Sequence, residues 1–228
     1  MKVDVLNLQT VKISLENSSD KVHVLEPATI ILFHGDGNLR EDRRVTIKHA
    51  FAGNRLYESI ISGPCYFMLS LPSGCFVNVI PVTDELLFDV KNVLFYPDNM
   101  DVKRRHQSLS HMIATSSITR YEFKGSGDIG IMSGGPIISE ALDDSPCYVD
   151  VNSLVALPNS AKLSVEVYGK GKAERHMEWQ YSITGTGTVL IDSASSTAVL
   201  PTQGQNKKDN IMVRAIKENI PGMGTIIP

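Results

Sequence analysis

The chain has 228 residues, 22 Lys and Arg against 25 Asp and Glu, a formal net charge of −3, a pI near 6.1 and a mean hydropathy of −0.04. With 42% hydrophobic and 21% charged residues, it has the composition of a folded protein with a sizeable core, which excludes the disordered, fibrous and disulfide-stapled classes. The mildly acidic balance argues against wholesale coating of nucleic acid and leaves room only for a local basic patch.

The start, MKVDVLNLQTVKISLEN, alternates polar and apolar residues and carries two acids, which fits neither a secretory signal nor an Arg-rich transit peptide. No apolar run approaches the roughly 18 residues of a membrane span. Val, Ile and Thr together make up 52 residues, a β-branched load that favours strands. Apolar side chains two apart predict half-buried strands at Val11–Leu15, Val77–Ile80, Leu163–Val167 and Met177–Ile183. Turns are predicted at His34-Gly35-Asp36-Gly37-Asn38, Pro97-Asp98-Asn99 and Pro158-Asn159. Residues 103–116 are ambiguous and would form at most a short connecting helix. Residues 208–219 read as a short C-terminal helix, capped by Asp209 or Asn210, with Val213, Ile216 and Ile220 at helical spacing; an exposed linker precedes it.

The chain repeats itself about every sixty residues. Phe88–Pro97 lies over Val149–Pro158 at an offset of 61 without a gap, and Gly74 and Gly135 share that offset. A weaker copy is Leu25–Phe33, where an acid again precedes an apolar run. Ile61-Ser62-Gly63-Pro64-Cys65, Phe123-Lys124-Gly125-Ser126-Gly127 and Ile183-Thr184-Gly185-Thr186-Gly187 each end one strand on a turn and open another. Two elements recurring in the same order predict a single β-repeat domain over residues 1–205, with repeats near 20–62, 63–124 and 125–200 and a C-terminal appendage at 206–228.

The pattern L-x-P-x-x-I at Leu25, Pro27 and Ile30 is followed by Gly125, Ile131 and Gly135, then by V-D-x-x-x-L-V-A at Val149, Asp150, Leu154, Val155 and Ala156. G-x-G-x-V-x-I closes it at Gly185, Gly187, Val189 and Ile191, with Gly63 and Gly74 as the matching pair in the other repeat. Over residues 20–195 this order resembles the family named for altered inheritance of mitochondria protein 24. The family's Pro-Gly turn is Pro27-Ala28 here, and the glycine usual before the last strand is replaced around His176-Met177. The resemblance implies an all-β fold of duplicated short double-stranded β-helix or β-sandwich units, similar to the trp RNA-binding attenuation protein. It also implies symmetric homo-oligomers, and it transfers no catalytic residue.

Three patterns invite chemistry. Gly125-Ser126-Gly127-Asp128-Ile129-Gly130 matches G-x-G-x-x-G, but a dinucleotide site needs a helix immediately after it, and Ile131–Pro136 cannot begin one, so the glycines read as a β-turn. Met132-Ser133-Gly134-Gly135-Pro136, with His49 and Asp89 in chymotrypsin order, suggests a serine hydrolase. The acid expected directly before the serine is Met132, and Ile131 stands where a glycine is wanted, so a structural turn ranks first. The histidines, His23, His34, His49, His106, His111 and His176, show no metal-ligand spacing.

Basic residues gather at Arg40, Arg43 and Arg44, at Lys103, Arg104 and Arg105, and at Lys170, Lys172 and Arg175, each following the acid-plus-apolar element of its own repeat. An oligomer would multiply such loops into a ring able to hold RNA or another polyanion. Glu41, Asp42, Asp101 and Glu174 lie among them, so solvated, self-compensating loops are the preferred reading. Cys65, Cys75 and Cys147 have no CxxC spacing and apolar neighbours, and read as inert thiols in a reducing, cytoplasmic compartment. The expectation is a non-enzymatic oligomeric scaffold or interaction module without a cofactor. RNA or polyanion binding through Arg43, Arg44, Lys103, Arg104, Arg105, Lys170 and Lys172 is the alternative, and a metal-dependent or serine-type hydrolase comes third.

Overall fold

Strands with apolar side chains two apart supply much of the buried face of the sheets. The structure, a computed structural model, describes residues 1–44, 57–83, 85–106, 119–143, 145–167 and 179–194. The chain begins with β1 (Lys2–Val5) and β2 (Thr10–Leu15). There follow β3 (Lys21–Val24), β4 (Ile30–His34), β5 (Arg40–Arg44), β6 (Tyr57–Ser62), β7 (Cys65–Ser70) and β8 (Phe76–Val82). Next come β9 (Leu86–Asp89), β10 (Val93–Pro97), β11 (Asp101–His106), β12 (Thr119–Lys124), β13 (Gly127–Ser133) and β14 (Ile137–Leu142). The described strands end with β15 (Cys147–Asp150), β16 (Leu154–Pro158), β17 (Lys162–Val167), β18 (Trp179–Thr184) and β19 (Gly187–Asp192). The protein is all-β, and its strands pair antiparallel.

One six-stranded sheet runs β5-β6-β3-β10-β13-β8 and a second runs β11-β12-β9-β16-β19-β14, so the second order is the first with every strand number raised by six. A four-stranded sheet, β1-β2-β7-β4, and a three-stranded sheet, β15-β18-β17, hold the remaining strands and reproduce the two halves of that order. Each six-stranded sheet is therefore assembled from two successive stretches of chain. The junctions are β3 on β10, pairing Val24 with Phe95, and β9 on β16, pairing Phe88 with Ala156.

The repeated acids are corner residues. Asp89 Oδ1 accepts from the Lys91 amide and Asp150 Oδ1 from the Asn152 amide, folding the turn that carries the chain from β9 to β10 and from β15 to β16. Those successive strands belong to different sheets. The Gly-rich element is the second corner, from β12 to β13 and from β18 to β19. Gly125 and Gly185 take φ of 132° and 136° there, a region side chains resist.

The core lies between sheets. Phe88 and Phe123 from one six-stranded sheet meet Val93, Ile129 and Ile131 from the other, all fully buried. A second cluster joins Val149, Leu157, Tyr181, Ile183 and Val189, on strands of the three-stranded sheet and its six-stranded neighbour. β2 shows the local rule, with Val11, Ile13 and Leu15 inward and Thr10, Lys12 and Ser14 between them.

Most strand expectations hold, and some shift. Residues 103–106 belong to β11 rather than to a connecting helix, because the β12 edge offers them a ladder. The last predicted strand is described from Trp179 onward. The predicted helix at 208–219 and the linker before it fall outside the described residues.

Candidate functional site

The two described basic groups sit on strands, not loops. Arg43 and Arg44 lie on β5, and Lys103, Arg104 and Arg105 on β11, the outermost strands of the two six-stranded sheets at equivalent positions. Lys170 and Lys172 fall outside the described residues. Alternating charge on an outermost strand blunts its free ladder groups, which is how sheets avoid edge-to-edge aggregation.

Arg40, Arg43, Lys103 and Arg105 are already engaged. Arg43 grips Glu41 with two bonds, at 2.7 and 2.9 Å, and Arg40 grips Asp42 with two at 2.9 Å. Lys103 pairs with Asp101 at 2.9 Å. Arg105 bonds the buried Glu122, whose other oxygen accepts from Asn159 at 2.9 Å. Asn159 also donates to Glu85, which in turn holds Lys124. A phosphate arriving here would have to displace carboxylates that occupy the guanidinium forks.

The carboxylates carry the imprint of this pairing. Arg43 holds Glu41 below its ordinary value of 4.5, Arg40 holds Asp42 below 3.8, and Lys124 with Asn159 does the same to Glu85. Asp20 is lowered by the Asn17 amide and then by the N-terminal ammonium, 3.3 Å away. Because these folded-state values lie below the unfolded ones, their stabilisation is complete above about pH 5 and is lost as pH falls through the folded values. Urea midpoints are therefore expected to be level from pH 7 to 5.5 and to fall steeply below pH 4. An Asp20→Asn, Glu85→Gln double variant should flatten that fall, and an unchanged slope would refute the assignment.

The serine-hydrolase geometry is not assembled. Ser133 accepts from Asn78 Nδ2 at 2.7 Å and donates its proton to the Gly135 carbonyl, so its hydroxyl closes a turn. Asp192 finishes that turn by accepting from the amides of Gly134 at 2.7 Å, Gly135 at 2.9 Å and Ala194 at 2.9 Å. Ser133 ends β13 and Asp89 ends β9, in different sheets, and Asp89 is bound to the Lys91 amide. His49 falls outside the described residues. The Asp192 clasp was invisible to spacing arguments, because its partners Gly134 and Gly135 are 58 and 57 residues away in sequence.

The G-x-G-x-x-G segment enters β13 without a helix. Its glycines answer to packing: a Cβ on Gly127 would stand 2.7 Å from the Pro97 ring, and one on Gly130 would fall inside the Phe95 ring. Gly187 meets Pro158 at the same 2.7 Å, the equivalent contact.

Two histidines are described with their side chains. His23 Nε2 bonds Asp98 at 2.7 Å and stacks on Tyr96 at 4.7 Å, sealing the β3–β10 junction. His34 stacks on Tyr66 at 4.6 Å. No cluster of three or more His, Cys, Asp or Glu able to hold a metal occurs among the described residues. A cleft of about 390 Å³ opens beside Asp20, Asp98 and Asp128, where Asp20 is neutralised by the Met1 ammonium and Asp98 faces His23. The thiols of Cys65, Cys75 and Cys147 are pushed up by burial, the opposite of a reactive cysteine. No helix among the described residues is long and apolar enough to cross a membrane.

No functionally curated protein matches the chain. Among solved structures, the crystal structure of protein SPYM3_0169 from Streptococcus pyogenes is similar at a TM-score of 0.62 and 12% identity, covering 96% of this chain and 98% of that one. At that identity the likeness speaks for the fold alone. The model of the mitochondrial biogenesis AIM24 family matches residues 6–194, the stretch that holds both six-stranded sheets and the Asp192 clasp, and the chain belongs to that family.

Proposed function

We propose that the protein is a non-enzymatic, cytoplasmic β-repeat module that assembles into homo-oligomers and works by presenting surfaces to partners. One observation supports this reading above others: the polar groups that sequence alone offers as chemistry are committed to holding turns and edges. Ser133 closes a turn with Asn78 and Gly135, Asp89 caps a corner, and Arg43, Lys103 and Arg105 are paired with carboxylates. The raised thiols of Cys65, Cys75 and Cys147 suit a reducing compartment.

Native mass spectrometry of protein purified without added ligand tests it. The expected spectrum is a single multiple of 25.0 kDa with no excess mass. A bare monomer at every concentration, or a stoichiometric retained metal or nucleotide, would overturn the reading. RNA binding is the second reading, favoured by the recurrence of basic residues on the equivalent strands β5 and β11. It requires retention on single-stranded RNA that collapses between low and moderate salt and weakens in an Arg43→Gln, Arg105→Gln variant.

A further inference from the structure

The chain contains two complete copies of one inter-strand junction and both halves of a third. In the complete copies a four-residue strand, β3 or β9, lies along β10 or β16. Among the described residues, the third strand of the first kind is β15, which pairs only with β18, and the remaining strand of the second kind is β4, which pairs only with β7. Among the described residues both leave one ladder edge without a partner strand. In the same chain these two strands form no ladder with one another.

Burial marks the missing partner. Leu94 and Phe95 of β10 are 0% exposed, and Val155 and Ala156 of β16 are 1% and 0% exposed. At the equivalent positions of β4, Ile31 is 62% and Leu32 39% exposed, and on β15 Tyr148 is 55% exposed. An apolar edge left open invites pairing with another strand, and unlike β5 and β11 neither of these two carries a row of charges, the one acid being Asp150 at the end of β15.

We propose that β4 of one copy pairs antiparallel with β15 of a second copy of this chain, so that the protein assembles head to tail through a copy of its own internal junction. The proposal rests on the assembly reading above and gives it a surface. Every copy carries one edge of each kind, so the contact is heterologous and either closes a ring or runs on as a filament. The two internal junctions set its register: Leu32 opposite Val149, Phe33 opposite Tyr148, and His34 opposite Cys147. The Asp150 amide donates to the Ile31 carbonyl, as the Leu25 amide does to Leu94 at 2.8 Å. Phe33 and Tyr148 form a cross-strand aromatic pair where Tyr96 and His23 stack in the first junction.

The pair His34 and Cys147 corresponds to Pro97 and Val22, a non-hydrogen-bonded pair judged by the Asp98 amide bonding the Lys21 carbonyl at 3.0 Å. Such pairs bring Cα atoms within about 4.5 Å, a separation that a disulfide spans. A full-length His34→Cys variant, mildly oxidised, is therefore expected to give dimers and higher species on a non-reducing gel, reversed by reductant and absent from the unsubstituted chain. Ile31→Lys and Tyr148→Asp, at positions already exposed, should reduce the mass by light scattering to 25.0 kDa with an unchanged far-UV spectrum.

A disulfide formed within single chains, or no disulfide at all, would overturn the proposal. An oligomer that survives both charge substitutions would also overturn it, while leaving the assembly reading standing on another surface. An unsubstituted chain that stays monomeric would overturn both.

Discussion

Replacing Phe123 by alanine is expected to lower the unfolding free energy by about 3–5 kcal/mol, the cost of emptying a buried aromatic site that cannot collapse. Phe123 is 0% exposed on β12, and its ring meets Phe88 at 5.5 Å, Tyr96 at 5.2 Å and Tyr121 at 6.0 Å, all edge-on. Tyr96 belongs to the other six-stranded sheet, so this one side chain ties the two sheets across the core. For a protein of this size about 1 kcal/mol corresponds to roughly 2–4 °C, which places the Tm of Phe123→Ala about 6–20 °C below that of the parent. A fall of only a degree or two in calorimetry would show that the sheets do not depend on this contact.

Gly130→Ala is expected to be nearly as damaging, about 3 kcal/mol, although it adds a single methyl group. Gly130 stands opposite Phe95 across the β13–β10 ladder, and the Phe95 ring lies over its backbone where a Cβ would go. Phe95 is fully buried and has no room to turn away, so the methyl forces backbone shifts or an off-rotamer ring. Denaturant titration of Gly130→Ala, Phe95→Leu and the double variant provides the check. The double variant should be more stable than the sum of the single losses predicts, and strict additivity would refute the packing argument.

The same two residues show what the amino-acid order reveals. The last glycine of the nucleotide-like motif lies within β13, and its reason for being glycine is a ring 35 residues earlier in the chain. Alternation was readable wherever one face is buried and the other is wet, as in β2 and β17. It failed at β5, whose residues Arg40–Arg44 are all charged, and at β11, because an outermost strand needs no apolar face to hold its ladder. The acids before the apolar runs were visible as a repeat, but their work as corner caps depends on short amide contacts that spacing does not disclose. Carboxylate partners for the basic clusters were legible where they are two residues away, as for Arg43 and Glu41. They were not legible for Arg105 and Glu122, which only the ladder brings together.

Because each six-stranded sheet draws its halves from successive stretches of chain, the order of synthesis matters. When β7 has been synthesised, β3, β5 and β6 are available to form their half of a sheet, but the strand that covers β3, at Val93–Pro97, begins 23 residues beyond Ser70. The emerging protein thus carries an uncovered β3 edge for about one to five seconds, at translation rates of roughly 5–20 residues per second. Truncating the chain after any one repeat strands a half-sheet rather than freeing a smaller domain. Pairing across such distances also makes folding slow, in the millisecond-to-second range of proteins built from non-local strands.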